Sequence, residues 1–442
     1  MTPTDQPRLS PTWLTVLFLI ALAGRTTPER LGLPHLPTGS DPRIPAYLLL
    51  AGVTLIWQVQ QWATGNARPW PRFLIPFTAL IAVQVASAGW APPGARITEH
   101  LWDLGLLWLL VVCTAALTAP DPQRAARILL TLTLTAGIVY ALAGIAAGPG
   151  LQGRVSAFGG GPNVFVRVVC LAAIAAVTLA VARRRWWLLA PIPLLAVAAV
   201  LSGSRGGLVA AVAAATIWFV FFLRRRRLPV LAATLTAGAV AGWAVWQFAG
   251  PALAALAGDR FNPAIVQAND YSGRPELLTV AWHMFTTHPV LGAGMDAFNA
   301  ETGMNYPHNY LAGLAAETGI TAVALLVWAI IRWCRDAPPW TRATPEQVGC
   351  AVAAVYILAA SMFSGDYYDT RFAWLFAVVA VAQHHPRPHP TGQPKGIPWQ
   401  GGLSSSTTTP NRSTHPAAPG TSNCSTGSTA GSGRSSSATS TT

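Results

Sequence analysis

Long apolar stretches separated by short polar segments recur along most of the chain. A membrane-spanning helix needs roughly 20 mostly apolar residues, with a range of about 17–25. By this criterion the hydrophobic pattern predicts about twelve transmembrane helices, with the first and the last short, and thus an all-α, polytopic integral membrane protein. The predicted spans are residues 11–24, 45–63, 73–91, 101–119, 127–147, 164–182, 186–201, 207–223, 228–248, 309–331, 348–364 and 371–383.

Two stretches interrupt this pattern. Residues 249–308 are mixed in composition and are expected to form one long external loop, with a helix over 275–287 because Pro275 suits the first helical position. Residues 384–442 are rich in Ser, Thr, Gly and Pro and contain no acidic residue. Such a segment cannot bury enough apolar area to fold. The sequence therefore predicts a membrane domain over 1–383 and a disordered cytoplasmic tail over 384–442.

The composition excludes an ordinary soluble protein. Only 10% of the residues are charged and 52% are hydrophobic, whereas soluble domains carry about 25% charged residues. The net charge is +13, and every basic residue except Lys395 is an arginine. Basic residues that flank apolar runs usually reflect membrane orientation, so we do not expect nucleic-acid binding.

The arginines of the short loops predict the orientation. With the N-terminus inside, fifteen arginines lie on the cytoplasmic side and nine on the other, and the dense clusters at 183–185 and 224–227 agree with this choice. We therefore expect a protein of the cytoplasmic (inner) membrane with both termini cytoplasmic. The first apolar run ends in Ala21-Leu22-Ala23, which resembles a signal-peptidase site, and its cleavage would leave the later spans unchanged.

Polar residues gather at span ends that are predicted to share the external face. Charge inside a bilayer is costly, so such clusters indicate function. The first cluster combines Arg154 and Asn163 with the glycines at 159–161, and Arg167 follows one helical turn later. The alternative is a Gly-rich loop in which Asn163 caps a helix and Arg167 extends towards the membrane surface.

The second cluster is SGSRGG at 202–207, which includes Ser204 and Arg205 and joins two predicted spans. Its small residues should let those two helices approach closely. Arg205 is expected near a helix start, where a guanidinium and the backbone N–H groups together suit a phosphate. The alternative is an interfacial arginine in a tight turn.

The third cluster lies within the predicted loop and includes Arg274, His283 and His288. The sequence HPVLGAG at 288–294 indicates a helix end followed by a flexible turn, and in the alternative interpretation His288 only caps that helix.

The fourth cluster is at the entrance to the span over 309–331. It includes His308 and Asn309, with Glu317 just over two turns later. The alternatives are a helix cap for Asn309, a pairing with a neighbouring helix for Glu317, and a neutral, hydrogen-bonded His308. Several arginines and a histidine on one membrane face point to binding of a multiply charged phosphate and to chemistry beside it.

These stretches, in this order, resemble the O-antigen ligase and O-antigen polymerase-like proteins of the Wzy/WaaL type, which include transferases that modify protein Ser or Thr. The resemblance covers about residues 150–390, and the GGGPN sequence at 159–163 has one glycine more than the expected form. It implies transfer of a glycan from an undecaprenyl-pyrophosphate carrier to an acceptor hydroxyl, at the outer face of the cytoplasmic membrane and without metal or another cofactor.

The resemblance also implies roles for individual residues. Arg205 and Arg274 match the arginines assigned to the donor pyrophosphate, and His308 matches a histidine proposed to activate the acceptor or to position the leaving group. Fixed guanidinium groups would stabilise the charge that develops on the leaving oxygen. Further candidates for supporting roles are Arg154, Asn163, Ser204, His288, Asn309 and Glu317.

A lipid-linked donor also agrees with what the sequence lacks. Glycosyltransferases that use nucleotide sugars often hold a metal through a DxD sequence, and the nearest approach, DYYD at 366–369, has the wrong spacing. The five cysteines show no spacing typical of zinc sites. The expected partners are the lipid-linked donor, the bilayer, and a hydroxyl acceptor on a glycan, a lipid-linked glycan or a protein. The alternative function is a transporter or flippase of polyprenol-linked glycans.

Overall fold

A computed structural model describes residues 11–24, 43–65, 69–150, 153–224, 274–339 and 341–382, with scattered positions between 232 and 251. In this part of the chain every regular element is helical, and the only β-type pairing is an isolated bridge between Pro149 and Val155. The predicted all-α fold class is therefore confirmed. The predicted tail at 384–442 lies outside the described residues.

The described helices follow the predicted apolar segments closely. Every predicted span coincides with helical structure to within a few residues, except 228–248, where only scattered helical positions are described. Short 3₁₀ turns cover Ser87–Trp90, Trp186–Leu189 and Tyr368–Thr370. The α-helices are α1 (Pro11–Ala23), α2 (Arg43–Ala63), α3 (Leu74–Ala86), α4 (Ile97–Thr118), α5 (Pro122–Ala147), α6 (Pro162–Arg183), α7 (Ile192–Leu201), α8 (Arg205–Arg224), α9 (Arg274–Thr287), α10 (Ala297–Thr302), α11 (Tyr310–Asp336), α12 (Pro345–Ser361) and α13 (Arg371–Val381).

Four of the described helices, α4, α5, α6 and α11, are long and apolar enough to cross a membrane. Shorter apolar helical segments occur at Pro11–Ala23, Leu74–Trp90, Trp186–Leu201, Arg205–Phe221 and Pro345–Ser361. The chain is therefore a membrane protein, and the described part of its fold is all-helical. The total of about twelve spans stays a prediction.

Helix α6 lies at the centre of the bundle, and small residues let its neighbours approach it. A Cβ on Gly137 of α5 would lie 2.0 Å from the Ala172 Cβ, and one on Gly349 of α12 would lie 2.2 Å from the Thr178 hydroxyl. Close approach through small residues is typical of helix packing in membranes. This packing fixes where the N-terminal end of α6 stands, and the candidate site is built around that end.

The opposite end of the bundle carries pairwise contacts between charged and polar groups. Arg127 pairs with the buried Glu346 at 2.7 Å, and Asp336 accepts a hydrogen bond from the backbone of Phe73 at 3.0 Å. Thr344 and Gln347 form a reciprocal capping box at the start of α12. These contacts cap helix ends and hold neighbouring helices in place.

Helix α11 is interrupted at Gly319, whose φ of 66° and ψ of −166° are not helical. In an α-helix each N–H bonds the carbonyl four residues earlier, so the break removes the bonds from residues 320 and 321 to residues 316 and 317. A loop segment between α9 and α10, residues 288–294, supplies hydrogen bonds in their place. We call this segment the strap.

The strap bonds to both sides of the break in α11. The N–H groups of Ala293 and Gly294 donate to the carbonyls of residues 316 and 317, both at 2.9 Å. In return the N–H of Ile320 donates to the Pro289 carbonyl at 2.8 Å, and the hydroxyl of Thr321 donates to the Val290 carbonyl at 2.7 Å. The strap thus satisfies the backbone groups that the break leaves open.

Two glycines make this contact possible. A Cβ on Gly292 would lie 2.2 Å from the backbone carbonyl carbon of Glu317, and a Cβ on Gly319 would lie 2.4 Å from the Val290 carbonyl oxygen. Both glycines also have positive φ, which other residues rarely adopt. The predicted helix end and turn in HPVLGAG are confirmed, and the turn is held against α11.

Candidate functional site

The start of α6 and the turn before α8 meet in one polar cluster, which we call the hub: Arg154, Asn163, Ser202, Ser204 and Ser364. The Asn163 carbonyl accepts hydrogen bonds from the Ser204 hydroxyl at 2.8 Å and from the Arg154 guanidinium at 3.4 Å. The Asn163 amide donates to the Ser364 hydroxyl at 2.8 Å, and Arg154 also donates to the Ser202 carbonyl at 2.9 Å. Asn163 therefore joins three separate segments of the chain.

Arg205 is the first residue of α8, next to the hub, and it is exposed. A Cβ on Gly206 would lie 2.2 Å from the Phe363 side chain, and one on Gly207 would lie 2.4 Å from Val166 of α6. The expectation that these small residues bring α7 and α8 together is wrong, because the close neighbours are α6 and the turn after α12. This packing leaves the start of α8 open beside the hub.

Arg167, one turn into α6, is buried and does not extend to the membrane surface. Its guanidinium pairs with Asp369 at 3.2 Å, and Asp369 also lies 3.7 Å from Arg371. A carboxylate shared by two arginines fixes the turn between α12 and α13. The interpretation of Arg167 as a surface-seeking side chain is therefore wrong.

A second polar group joins the start of α4 to the end of the strap. Asp296 is fully buried and accepts hydrogen bonds from the Arg96 backbone at 2.8 Å and from the His100 Nε2 at 2.8 Å. The other ring nitrogen of His100 lies 2.8 Å from the Tyr367 hydroxyl. Burial alone would raise the pKa of Asp296, but the hydrogen bonds from His100 and Arg96 outweigh it and lower that pKa from 3.8 to about 2.

A cavity of about 40 Å³ opens beside this group; we call it the carboxylate cavity. Its chemistry is set by Glu317 and Asp366, with His100, Tyr306 and Tyr367 around them. The carboxyl group of Glu317 lies near the backbone N–H of Phe298. The other described lining residues are Gln84, Ser87, Leu104, Met295, Asn305, Pro307, Asn309, Tyr310, Gly313, Leu314, Thr318 and Gly365.

Tyr306 connects the hub and the carboxylate cavity. It lines the cavity, and its hydroxyl lies near the Ser364 side chain of the hub. Burial, together with the nearby Asp369 and Asp366, raises the pKa of its phenol, so the phenol stays protonated. The His308 ring packs edge-on against Tyr306, with centroids 4.9 Å apart. His308 has a φ of 57°, an uncommon left-handed conformation for a residue other than Gly.

The structure brings most of the predicted site residues to one end of the bundle. Asn309 caps α11 by accepting from the Ala312 N–H at 3.0 Å, as its alternative interpretation expects, whereas Asn163 lies inside α6 and does not cap it. His288 is exposed and contacts the neighbouring Thr287 hydroxyl at 3.1 Å, apart from the hub and the cavity. Arg274 begins α9, and its side chain lies outside the described part of the chain.

Several residues of this end were missed by sequence reasoning. They lie at the start of α4, after the strap and between α12 and α13. The signal for the last group was the DYYD sequence, which suggested only a metal motif with the wrong spacing. The missed residues are Arg96, His100, Asp296, Tyr306, Ser364, Asp366, Tyr367 and Asp369. Among the described residues no group of three or more His, Cys, Asp and Glu side chains is arranged to hold a metal ion.

Comparison with known proteins adds one match. Residues 190–329, about a third of the chain, match the family model described as Wzy_C, O-antigen ligase. The match confirms the resemblance to O-antigen ligase and polymerase-like proteins. It contains Arg205, the strap and Glu317, but neither Arg154 nor Asn163. No curated protein and no solved structure matches the chain.

Proposed function

Since the O-antigen ligase match contains Arg205, the strap and His308, we propose that the protein transfers a glycan from an undecaprenyl-pyrophosphate-linked donor to an acceptor hydroxyl. The bond between the sugar C1 and the phosphate oxygen breaks, and C1 forms a bond to the acceptor oxygen. The acceptor hydroxyl gives its proton to the His308 imidazole, which passes it to the departing undecaprenyl pyrophosphate. The family match supports this type of glycan transfer in general, and the donor and acceptor classes are our proposal.

One observation carries the proposal: separate segments meet at one end of the bundle and present an exposed arginine beside a buried polar network. Arg205 stands at the first position of α8, where helix N–H groups favour an anion. We assign the donor pyrophosphate to Arg205 and Arg274, and we assign the transfer step to His308. Guanidinium groups supply the positive charge that the leaving oxygen needs, so the proposed reaction requires no metal.

The membrane setting is part of the same proposal. We place the reaction at the external face of the cytoplasmic membrane, with both termini cytoplasmic, because of the arginine distribution between the loops. Cysteine-accessibility labelling at 255–270 and at 420–440 should report opposite sides of the membrane. Labelling from the same side would contradict this orientation.

Reconstitution tests the activity directly. The purified protein in nanodiscs is given a synthetic undecaprenyl-pyrophosphate oligosaccharide with glycan, lipid-linked glycan and Ser/Thr peptide acceptors, with and without EDTA. We expect a glycosylated acceptor together with stoichiometric undecaprenyl pyrophosphate, and the accepted substrate distinguishes ligase, polymerase and protein transferase. Movement of the intact donor between leaflets without bond cleavage would support the transporter alternative, which the family match does not favour.

A further inference from the structure

The carboxylate cavity is too small for a sugar ring but suits a hydroxyl-bearing group. A volume of about 10–15 Å³ by this measure holds one water, so a cavity of about 40 Å³ takes a few non-hydrogen atoms. Its described lining contains the carboxylates of Glu317 and Asp366 and neither Lys nor Arg. A pyrophosphate would be repelled there, whereas a hydroxyl can donate a hydrogen bond to a carboxylate.

Two of the neighbouring carboxylates form ion pairs with cations, and Glu317 differs from these two. Asp296 is held by Arg96 and His100, and Asp369 is held by two arginines. The Glu317 carboxyl group lies near the Phe298 backbone N–H, and among the described residues no arginine or lysine forms an ion pair with it. A carboxylate has room for about four hydrogen bonds, so Glu317 retains capacity for a donor that enters the cavity.

His100 has a different part in the cavity. Both of its ring nitrogens are engaged, one by Asp296 and the other by the Tyr367 hydroxyl. It therefore acts as a positioning residue. It holds Tyr367, which lines the cavity, next to Asp296, which follows the strap. The Asp296 carboxylate fixes the orientation of the imidazole ring.

We propose that the carboxylate cavity is the acceptor subsite, in which Glu317 accepts a hydrogen bond from the uncharged, hydroxyl-bearing end of the acceptor. This inference rests on the proposed function. The cavity adjoins the donor side, because Ser364 belongs to the hub while the next residues, Gly365 and Asp366, line the cavity. Tyr306 spans the same boundary, so an acceptor in the cavity lies next to His308.

The substitution Glu317→Gln tests this subsite with little change in shape. The amide keeps one acceptor oxygen and removes the ionisable carboxyl group. Since a buried group left without its hydrogen-bond partner is costly, we expect the KM for the acceptor to rise by about 10- to 100-fold, while the Kd for donor changes less than about 2-fold. Glu301→Gln makes the same substitution at an exposed position on α10 and serves as the control.

A chemically modified acceptor provides a second test of the subsite. With the wild-type protein, an acceptor that carries a phosphate next to its reacting hydroxyl should react at least about 10-fold more slowly than the same acceptor without the phosphate. Glu317→Gln should reduce this difference in rate. Asp366→Asn, which lines the same cavity, should also raise the acceptor KM, and it replaces Glu317→Gln if the latter fails to fold in detergent melting.

The outcomes separate the two proposals. If the wild-type protein transfers nothing, the proposed function fails. If it transfers glycan but the cavity variants keep a wild-type acceptor KM, the acceptor subsite is wrong and the proposed function stands. The same conclusion follows if these variants raise the donor Kd by as much as the acceptor KM. A phosphorylated acceptor that reacts as fast as the neutral one would also overturn the subsite.

Discussion

The hub and the carboxylate cavity are neighbours of opposite chemistry. In the hub an arginine, an amide and three serines satisfy one another, and the exposed Arg205 stands beside them. In the cavity the carboxylates of Glu317 and Asp366 face a space without described Lys or Arg. The boundary between them is the Tyr306–Ser364 contact.

The difference suggests how one end of a helical bundle can distinguish two substrates. An anionic lipid-linked donor and a neutral hydroxyl acceptor need opposite electrostatic surroundings, and like charge at the wrong position costs affinity. If the hub side serves the donor and the cavity serves the acceptor, substitutions on each side should change different kinetic parameters.

The largest effect is expected at the boundary, from His308→Ala. Removing an acid–base group usually slows a reaction by roughly 10²–10⁴-fold, so transfer should fall by that factor while donor binding stays nearly unchanged. Single-turnover transfer and equilibrium binding of the donor measure the two quantities. His283→Ala, an exposed histidine of α9, is the matched control. Transfer at the wild-type rate in His308→Ala would show that His308 only packs against Tyr306.

On the donor side, Arg205→Lys keeps the charge but loses the planar pair of donors that phosphate oxygens match. We expect donor Kd to rise by about 10-fold, with the acceptor KM unchanged. Arg183→Lys, at the other end of α6, controls for a general effect of the substitution. An equal rise of both parameters would contradict the separation of the two regions.

Within the hub, Asn163→Ala removes the amide that joins Arg154, Ser204 and Ser364. The groups left without a partner should cost about 1–3 kcal/mol of stability, seen as a lower melting temperature in detergent. Asn305→Ala, an exposed amide on the cavity side, should leave the melting temperature unchanged. If both variants melt at the same temperature, the hub is not a stabilising network.

The last effect is expected from Asp296→Asn and depends on pH. The folded pKa of Asp296 is about 2, below its ordinary 3.8, so the ionised carboxylate stabilises the fold above pH 4, and this contribution is lost as the pH falls towards 2. The contribution is about 2 kcal/mol. Melting from pH 2 to 7 should therefore show a steeper acid limb for the wild type than for the variant. Parallel limbs would show that other groups cause the acid sensitivity.

The helices could be predicted from the sequence because apolar runs of about 20 residues have few alternatives in a membrane protein. Their lengths in the structure were harder to predict. The predicted span at 186–201, for example, consists of a 3₁₀ turn and the ten-residue helix α7, which is too short to span a bilayer by itself. The break at Gly319 was also missed, because a glycine within an apolar run does not reveal that another backbone segment approaches it.

The site could be predicted only in part, for a related reason. Arg154, Asn163 and Ser204 stand in unusual local sequences, and the structure joins them. His100 and Asp296 are far apart in sequence and stand in unremarkable surroundings, so only the packing of α4 against the strap brings them together. Gly206 and Gly207 indicated close packing, but small size does not indicate which helix fills the space.

The exchange of hydrogen bonds between the strap and α11 has a consequence for building chimeric proteins. The strap and the first half of α11 share one set of backbone bonds, so neither is a separable module. A graft that replaces the loop from a relative should carry residues 288–321 as one block, with both close-contact glycines. A junction placed between the strap and Gly319 would separate bonded partners and leave polar backbone groups open inside an apolar bundle, where each is costly.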